Sequence, residues 1–375
     1  MLKGINLTLM IGPLEPVPVS KDILDALASV EVTSRSDGPS GFQLKFKIDK
    51  RSPLFTIFLV ASGVQIPLVR VVIGVTLNGS TQVLMDGVMT NHEITGGSET
   101  EGPMLTITGE DLTRAMDYID FTGIPYPAMP PEARALVCIA KYGFMGVIPL
   151  VIPSILLDVP IPVDRIPIHQ GTDLCYVRKL ADDIGYVFYI EPGPTLGQSV
   201  GYWGPDIKVG DPQSALNIDM DAHTNVESLN FSINTQAAKL PIIFISEQIT
   251  HAPIPIPVPD FSPLNPPLGL IPPIPLNFPL MQGTAKKSPV EAAQTGMAEA
   301  AKSADAVTGT GSLDVLRYGQ VLKARRLVGV RGAGLPFEGL YYVKSVTHKI
   351  KRGEYMQDFT LTRNGLLPTV SRVPA

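Results

Sequence analysis

The stretch Phe42-Gln43-Leu44-Lys45-Phe46-Lys47-Ile48 alternates apolar and polar side chains without interruption. Because successive side chains of a strand point to opposite faces, this period of two predicts a half-buried strand with its four apolar residues on one face. The turn residues Asp37-Gly38-Pro39-Ser40-Gly41 join it to an earlier β pattern at residues 30–36, which predicts a hairpin. A second hairpin is predicted where residues 69–77 run into Asn78-Gly79 and return through residues 81–88. Short paired strands of this kind favour a small antiparallel barrel or sandwich.

The composition agrees with a mainly β chain that is large enough for several units. Its 375 residues suffice for two to three compact units, and 34 Gly and 36 Pro with only 17% charged residues indicate many turns. The net charge of -5 argues against sequence-specific nucleic-acid binding. Residues 142–157 form the longest uncharged apolar run, which Pro149 and Pro153 interrupt, so no stable membrane insertion is expected. The first ten residues lack a signal-peptide pattern, which predicts synthesis in the cytoplasm.

The apolar period changes from two to helical spacing after Thr108, which predicts an α+β unit of about a hundred residues. One helix is expected at residues 131–142, and another begins after Thr172 and ends at Gly185. Strand patterns then return at residues 215–233 and 241–249, and again at 320–330, 339–350 and 355–363. Residues 309–312 are Gly-rich and predict a flexible joint.

A proline-rich stretch interrupts this second set of strands. Residues 252–280 contain eleven prolines that alternate with apolar residues, and Asp260 is their only charge. A chain that lacks so many N–H donors is expected to adopt polyproline II, and its apolar side chains require a cover. We therefore predict a partner-binding segment, and the alternative is a variable surface loop. The candidate residues are Pro253, Pro255, Pro257, Phe261, Pro266, Pro267, Pro272, Pro273, Phe278 and Pro279.

Catalytic signatures are weak throughout the sequence. The five histidines occur singly, without metal-ligand spacing, and no Ser lies in a G-x-S-x-G motif. Cys138 and Cys175 are far apart and fall within helical apolar stripes, so both are expected to be buried free thiols. We nominate no catalytic, cofactor-binding or metal-binding residue and expect a protein that is not an enzyme and needs no cofactor.

Several dispersed motifs resemble the phage late control gene D protein family, the baseplate hub proteins of contractile tails. This family is similar in fold to the T4 baseplate hub and to the N-terminal part of VgrG. The matching stretches include residues 318–325, 328–334, 337–343 and 353–365, with further matches at 108–112, 171–174, 185–189 and 202–205. The resemblance implies that the residues of the last strands that match the family motifs hold the barrels together. These residues are Gly332, Gly334, Gly339, Tyr341, Val343, His348, Tyr355, Phe359 and Arg363.

The resemblance implies two similar antiparallel β-barrels, the second interrupted by an insertion, with a smaller domain between them, which agrees with the β, α+β and β order of the sequence patterns. The family pattern does not prescribe the proline-rich excursion, which the residues alone place within the second barrel. The expected boundaries are residues 1–110 for the first barrel, 111–210 for the α+β domain, 211–250 with 312–368 for the second barrel, and 251–311 for the excursion with an Ala-rich helix.

The implied function is that of a structural baseplate hub in a contractile phage tail or phage-like injection system. Three subunits with two barrels each would form a pseudo-hexameric ring that joins a hexameric tail tube to a trimeric spike. The expected partners are two other copies of the chain, the tail tube protein, a spike protein and other baseplate proteins. The particle is expected to assemble in the bacterial cytoplasm.

Two alternatives remain open at this point. A tail-associated cell-wall-degrading enzyme would need a catalytic site, and a receptor-binding tail adhesin would need repeats or carbohydrate-binding aromatic residues. Only ten residues follow Gly365, so the spike is expected to be a separate polypeptide.

Overall fold

The structure is a computed structural model with side chains. It describes residues 5–48, 68–96, 102–154, 160, 162–163, 166–246, 253–258, 266–281, 289–302, 305–370 and 373. Among these residues, no helix is both long enough and apolar enough to cross a membrane.

Seven strands form the first half of the main sheet, and one short helix lies between the second and third of them in sequence. Hydrogen bonding orders the strands β2, β1, β5, β6, β7, β4 and β3, and all these pairs are antiparallel. Asn78 and Gly79 both have positive φ and close the β5–β6 hairpin, as the sequence predicts. The elements are β1 Ile5–Gly12, β2 Val17–Pro18, α1 Lys21–Ala26, β3 Leu27–Arg35, β4 Gly41–Lys47, β5 Arg70–Leu77, β6 Ser80–Thr95 and β7 Met104–Asp111.

An α+β unit follows, with its own apolar core. Helices α2 and α3 pack beside a three-stranded sheet in the order β8, β10, β9. Thr172 accepts a hydrogen bond from the backbone N–H of Cys175, and Gly185 ends the helix in the left-handed region, as the sequence predicts. The elements are 3-10 helices Leu112–Asp117 and Lys141–Met145, α2 Pro131–Ala140, β8 Val147–Val151, α3 Asp173–Ile184, β9 Tyr186–Pro192 and β10 Ser199–Pro205.

Six of the remaining strands extend the same main sheet, while β13 with β14 and β15 with β20 form two separate two-stranded sheets. The order continues from β3 through β18, β19 and β16 to β12, while β17 pairs with both β11 and β18. The elements are β11 Gln213–Asn217, 3-10 helix Asp221–His223, β12 Ser228–Ile233, β13 Ile242–Ser246, β14 Pro253–Pro257, β15 Gly269–Ile271, α4 Pro289–Lys302, β16 Val307–Asp314, α5 Val315–Tyr318, β17 Leu327–Arg331, β18 Gly339–Lys351, β19 Glu354–Arg363 and β20 Leu366–Pro368.

The pairing of β3 with β18 joins the two halves. Val32 lies opposite His348, and the hydroxyls of Thr33 and Thr347 are 3.0 Å apart. One apolar core runs through both halves, from Leu9 and Phe46 to Tyr341 and Phe359. Among the described residues, many more lie in strands than in helices, which confirms the mainly β fold class.

Outside the proline-rich stretch, three local predictions are wrong. Residues 309–312 lie in strand β16 rather than in a flexible joint. A Cβ at Gly309 would lie 2.9 Å from the ring of Phe231, so the glycine allows the close approach of an aromatic ring and does not mark flexibility. Residues 320–326 are not a strand, because the side chain of Gln357 bonds both the N–H and the carbonyl of Leu322 in place of a neighbouring strand.

The third wrong prediction concerns Cys175, which is exposed, while Cys138 is buried as expected. Each residue turns about 100° around a helix, so Cys175 faces away from the core that the adjacent Leu174 enters.

Candidate functional site

The proline-rich segment, defined as residues 253–281, is built around strand β13. Strand β14 pairs antiparallel with one edge of β13, and residues 277–281 bond to its other side. The N–H of Ile242 donates to the carbonyl of Pro279, and the N–H of Met281 donates to the carbonyl of Ile242, each at 2.9 Å. Further along, β15 pairs with β20, so the segment is held on the second half of the molecule at several points.

This arrangement corrects the expectation of polyproline II, since residues 253–257 and 269–271 are strands. Antiparallel pairing uses the N–H groups of alternate residues. Prolines occupy residues 253, 255 and 257, while Ile254 and Ile256 lie opposite Ile245 and Ile243. Val258 continues this alternation, because its N–H donates to the carbonyl of Pro241 at 2.9 Å. The prolines therefore fall at the positions where no donor is required.

The apolar side chains of the segment point largely to solvent. Ile274 is 78% exposed and Leu276 is 70% exposed, which are high values for aliphatic residues. We call the eight exposed Ile, Leu and Phe residues that the structure describes in this segment the proline-rich surface. They are Ile254, Ile256, Leu270, Ile271, Ile274, Leu276, Phe278 and Leu280.

Two buried residues anchor this surface to the protein. Val258 packs with Ile243 and Ala292, and Leu268 packs with Leu327 and Tyr342. The N–H groups of Leu268 and Gly269 both donate to the side-chain oxygen of Asn364. Exposed apolar side chains on an anchored segment are typical of a protein-binding site.

The sequence-predicted partner residues are placed as follows. Pro255, Pro257, Pro267, Pro272 and Phe278 are exposed, and Pro266, Pro273 and Pro279 are half-buried. Pro253 begins strand β14. Phe261 lies outside the described residues. The sequence did not single out the aliphatic residues between the prolines, although they form most of the proline-rich surface.

The residues singled out by the resemblance lie in the second half of the main sheet, and all but two of them are buried. Tyr341, Val343, His348, Tyr355, Phe359 and Arg363 are almost inaccessible to solvent, as is Gly339. Gly332 and Gly334 have positive φ in the turn between β17 and β18. The guanidinium of Arg363 donates to the carbonyls of Pro336, Glu338 and Gly365 at 2.6 to 2.7 Å, and it lies over the ring of Tyr341. These contacts fasten the turn and the end of β19 to one another.

A polar cluster inside the α+β unit was not evident from the sequence. The ligand-type atoms of Cys138, His169 and Asp173 lie within 4.8 Å of one another, and all three residues are buried. Cys138 is on α2, Asp173 begins α3, and His169 lies in the chain before α3. Burial raises the pKa of the Cys138 thiol to about 11 and lowers the pKa of His169. The one sequence signal was the i, i+4 spacing of His169 and Asp173, which carries no weight alone.

The surrounding side chains hold this cluster in place. The hydroxyl of Tyr126 lies 3.0 Å from Nδ1 of His169 and 3.6 Å from Sγ of Cys138. Asp173 receives hydrogen bonds from Nζ of Lys141 at 2.9 Å and from the hydroxyl of Tyr142 at 3.0 Å.

Solved structures with a similar fold include tail proteins of bacterial and prophage origin. A tail protein from Neisseria meningitidis MC58 matches 97% of this chain over 98% of its own length, with a TM-score of 0.63 and 12% sequence identity. A 43 kDa tail protein of prophage MuSo2 from Shewanella oneidensis matches 96% of this chain over 98% of its own length, with a TM-score of 0.62 and 13% identity. The chain has the fold of phage tail proteins.

A third structure extends the likeness beyond phage particles. A chain of the Francisella PdpA-VgrG complex matches 100% of this chain over 55% of its own length, with a TM-score of 0.62 and 9% identity. No protein-family model and no curated protein sequence matches the chain. The fold implied by the resemblance to baseplate hub proteins is thus confirmed by structure and not by sequence similarity.

Proposed function

We propose that this protein is a structural hub of the baseplate in a contractile phage tail or phage-like injection system, and that it is not an enzyme. The observation that carries the proposal is the end-to-end match of its fold to two tail proteins, each covered over 98% of its length. Their whole architecture is shared, so the likeness is not confined to one common module. The proposed location is the tail baseplate, assembled in the bacterial cytoplasm.

The internal order of the main sheet supports a ring built from two similar halves per subunit. The strands on the two sides of the β3–β18 pair follow the same order. Next to β3 lies its hairpin partner β4 and then β7, and next to β18 lies its hairpin partner β19 and then β16. We propose two barrels with the boundaries given by the sequence. Three such subunits would present six similar units to a hexameric tail tube and three identical units to a trimeric spike.

Strand β12 supports contact between subunits. It pairs with β16 on one side and ends the hydrogen-bonded order of the main sheet among the described residues. Ile233 at its end is 43% exposed. Unpaired strand edges are open to pairing or covering by another chain. We propose that β12 faces the neighbouring subunit of a homotrimer.

The proline-rich surface is the proposed docking site for another baseplate component. It carries exposed Ile, Leu and Phe side chains on a segment that its own subunit holds in place. The spike is proposed to be a separate trimeric protein.

Two measurements test the proposal. Gold-labelled antibodies against the chain should bind the distal end of the tail in particles purified from the strain that encodes it. Native mass spectrometry of hub complexes released from these particles should give multiples of three copies. Labelling only of the host cell envelope, or release of this chain only as a monomer or dimer, would contradict the hub assignment.

A further inference from the structure

We propose that Cys138, His169 and Asp173 form a binding site for one zinc ion inside the α+β unit. This site is independent of the proline-rich surface and of the proposed hub function. The three side chains supply a sulfur, a ring nitrogen and a carboxylate oxygen, which is a donor set typical of zinc sites that keep a fourth position for water. Soft thiolate and imidazole ligands disfavour calcium and magnesium.

The first argument is the state of the His169 ring. The residue is fully buried, and its Nε2 atom has no hydrogen-bond partner. Asp173 Oδ1 lies 3.7 Å from this atom, which is too long for a hydrogen bond. Two ligand atoms bound about 2.1 Å from a tetrahedral zinc ion lie about 3.4 Å apart. The separation therefore suits two ligands of one metal better than a direct bond.

The second argument is the outer hydrogen bonding. Metal-binding histidines usually donate the hydrogen of their other ring nitrogen to a polar group, which fixes the tautomer. Nδ1 of His169 lies 3.0 Å from the hydroxyl of Tyr126, so it can donate there and leave Nε2 free to bind metal. The same hydroxyl can donate its own hydrogen to Sγ of Cys138, which stabilises a thiolate. Tyr142 donates to Oδ2 of Asp173, so Oδ1 remains the ligand atom.

The backbone around His169 is also fixed. Its N–H donates to the carbonyl of Ile124 at 2.9 Å, and its carbonyl accepts from the N–H of Gly123 at 3.0 Å. The ring is further packed against the ring of Tyr176, with centroids 4.3 Å apart. The ligands from α2, α3 and the chain before α3 are therefore held by separate parts of the α+β unit, and a shared metal ion would tie them together.

Lys141 is the group that the metal must displace. Its ammonium lies 2.9 Å from Oδ1 of Asp173, but its side chain is 32% exposed and can turn to solvent. Binding follows a simple balance: the Cys138 thiol loses one proton to solvent, and zinc gains a thiolate, the neutral imidazole, the carboxylate and one water molecule. The net charge of the ion and its two anionic ligands is zero, which suits a buried site.

The test uses the full chain, stripped with a chelator and dialysed against zinc. We expect one zinc ion per chain in the wild type and in Cys175→Ser, which removes the exposed thiol, and less than about a tenth of that in Cys138→Ser. The Cys138→Ser protein must keep the fluorescence of Trp203, which lies in the same core. Binding that is lost in Cys175→Ser and retained in Cys138→Ser would overturn the proposal, as would a wild type that binds no zinc.

Two further measurements hold even where Cys138→Ser fails to fold. Cobalt bound to the Cys175→Ser protein should show a thiolate charge-transfer band and the strong visible absorption of tetrahedral coordination. Lys141→Met should bind zinc at least about tenfold more tightly, because a competing cation is removed from Asp173. Octahedral cobalt without thiolate absorption, or weaker zinc binding by Lys141→Met, would show that the cluster is only a buried hydrogen-bond network.

Discussion

Arg363 is the residue whose removal should cost most in the second half of the molecule. It is fully buried, and it donates to three backbone carbonyls. Arg363→Met would retain much of the side-chain volume but leave those carbonyls without a donor. We expect the free energy of unfolding to fall by about 3 kcal/mol or more.

Urea unfolding followed by circular dichroism measures this loss. The matched control is Arg352→Met. The Arg352 side chain is 70% exposed, lies 3.8 Å from the Asp25 carboxylate and donates one hydrogen bond to the solvent-exposed Asp25 carbonyl at 2.6 Å, so a change of less than about 0.5 kcal/mol is expected. Equal effects of the two substitutions would show that the Arg363 contacts do not stabilise the fold.

His348 should make the stability of the protein depend on pH. Burial lowers its pKa to about 4, whereas a histidine in an unfolded chain titrates at about 6.5. Between these values the unfolded state binds a proton that the folded state does not, so the contribution of His348 to stability is lost as the pH falls from about 6.5 to about 4. The expected loss is up to about 3 kcal/mol.

Urea midpoints at pH 7, 6, 5 and 4 check this expectation by comparing the wild type with His348→Gln. The difference between the two proteins should shrink steadily as the pH falls, because only the wild type carries the titrating group. The exposed His223 provides the control, and His223→Gln should follow the wild type at every pH. A constant difference between wild type and His348→Gln would refute a role for His348 titration.

At the scale of the element, strand β16 depends on a glycine that a strand would otherwise disfavour. A Cβ at Gly311 would overlap the carbonyl oxygen of Ser228 and lie 2.7 Å from the ring of Phe359. Gly311→Val raises the intrinsic strand preference but introduces these overlaps, so we expect a loss of about 2 kcal/mol. Thermal unfolding is the measurement.

Thr310→Val is the matched control for Gly311→Val. Thr310 is the adjacent residue of the same strand, and its side chain is exposed, so its replacement should change stability by less than about 0.5 kcal/mol. A Gly311→Val protein as stable as Thr310→Val would mean that β12 and β19 can move apart without cost.

Elements were predictable from sequence where the determinants are local. The alternation in β4, the Asn78-Gly79 turn and the Thr172 cap each act over a few residues. The proline-rich strands and β16 were mispredicted because their structure depends on partners far along the chain. Prolines at alternate positions become acceptable only once β13 lies alongside, and Gly309 becomes a packing residue only once Phe231 lies against it.

At the scale of the whole molecule, contacts between distant residues also explain why the candidate zinc site was missed. Cys138 and His169 lie on separate segments of the α+β unit, and no sequence spacing relates them. The joining of the two sheet halves could not be predicted from the sequence for the same reason, because Thr33 and Thr347 meet across 314 positions of sequence. The resemblance to hub proteins supplied the overall fold, but it did not supply these contacts.

The last prediction tests the proposed attachment of the whole subunit to a tail particle through the proline-rich surface. Replacing Ile274, Leu276 and Phe278 together by Ser removes three side chains that are between 52% and 78% exposed. The free energy of unfolding of the isolated protein should stay within about 0.5 kcal/mol of the wild-type value, because these side chains contribute little to its own core. Binding to the partner should weaken at least about tenfold, since buried apolar anchors carry much of the energy of an interface.

The number of copies per particle, measured by quantitative mass spectrometry in a strain that carries only the variant, reports this loss of attachment. Single substitutions give a matched pair: Leu276 is 70% exposed in the proline-rich surface, and Leu335 is 74% exposed in the turn before β18. Leu276→Ser should reduce incorporation, while Leu335→Ser should not. Full incorporation of the triple variant would show that the surface faces solvent in the particle, because an interface cannot lose three apolar contacts without a change in occupancy.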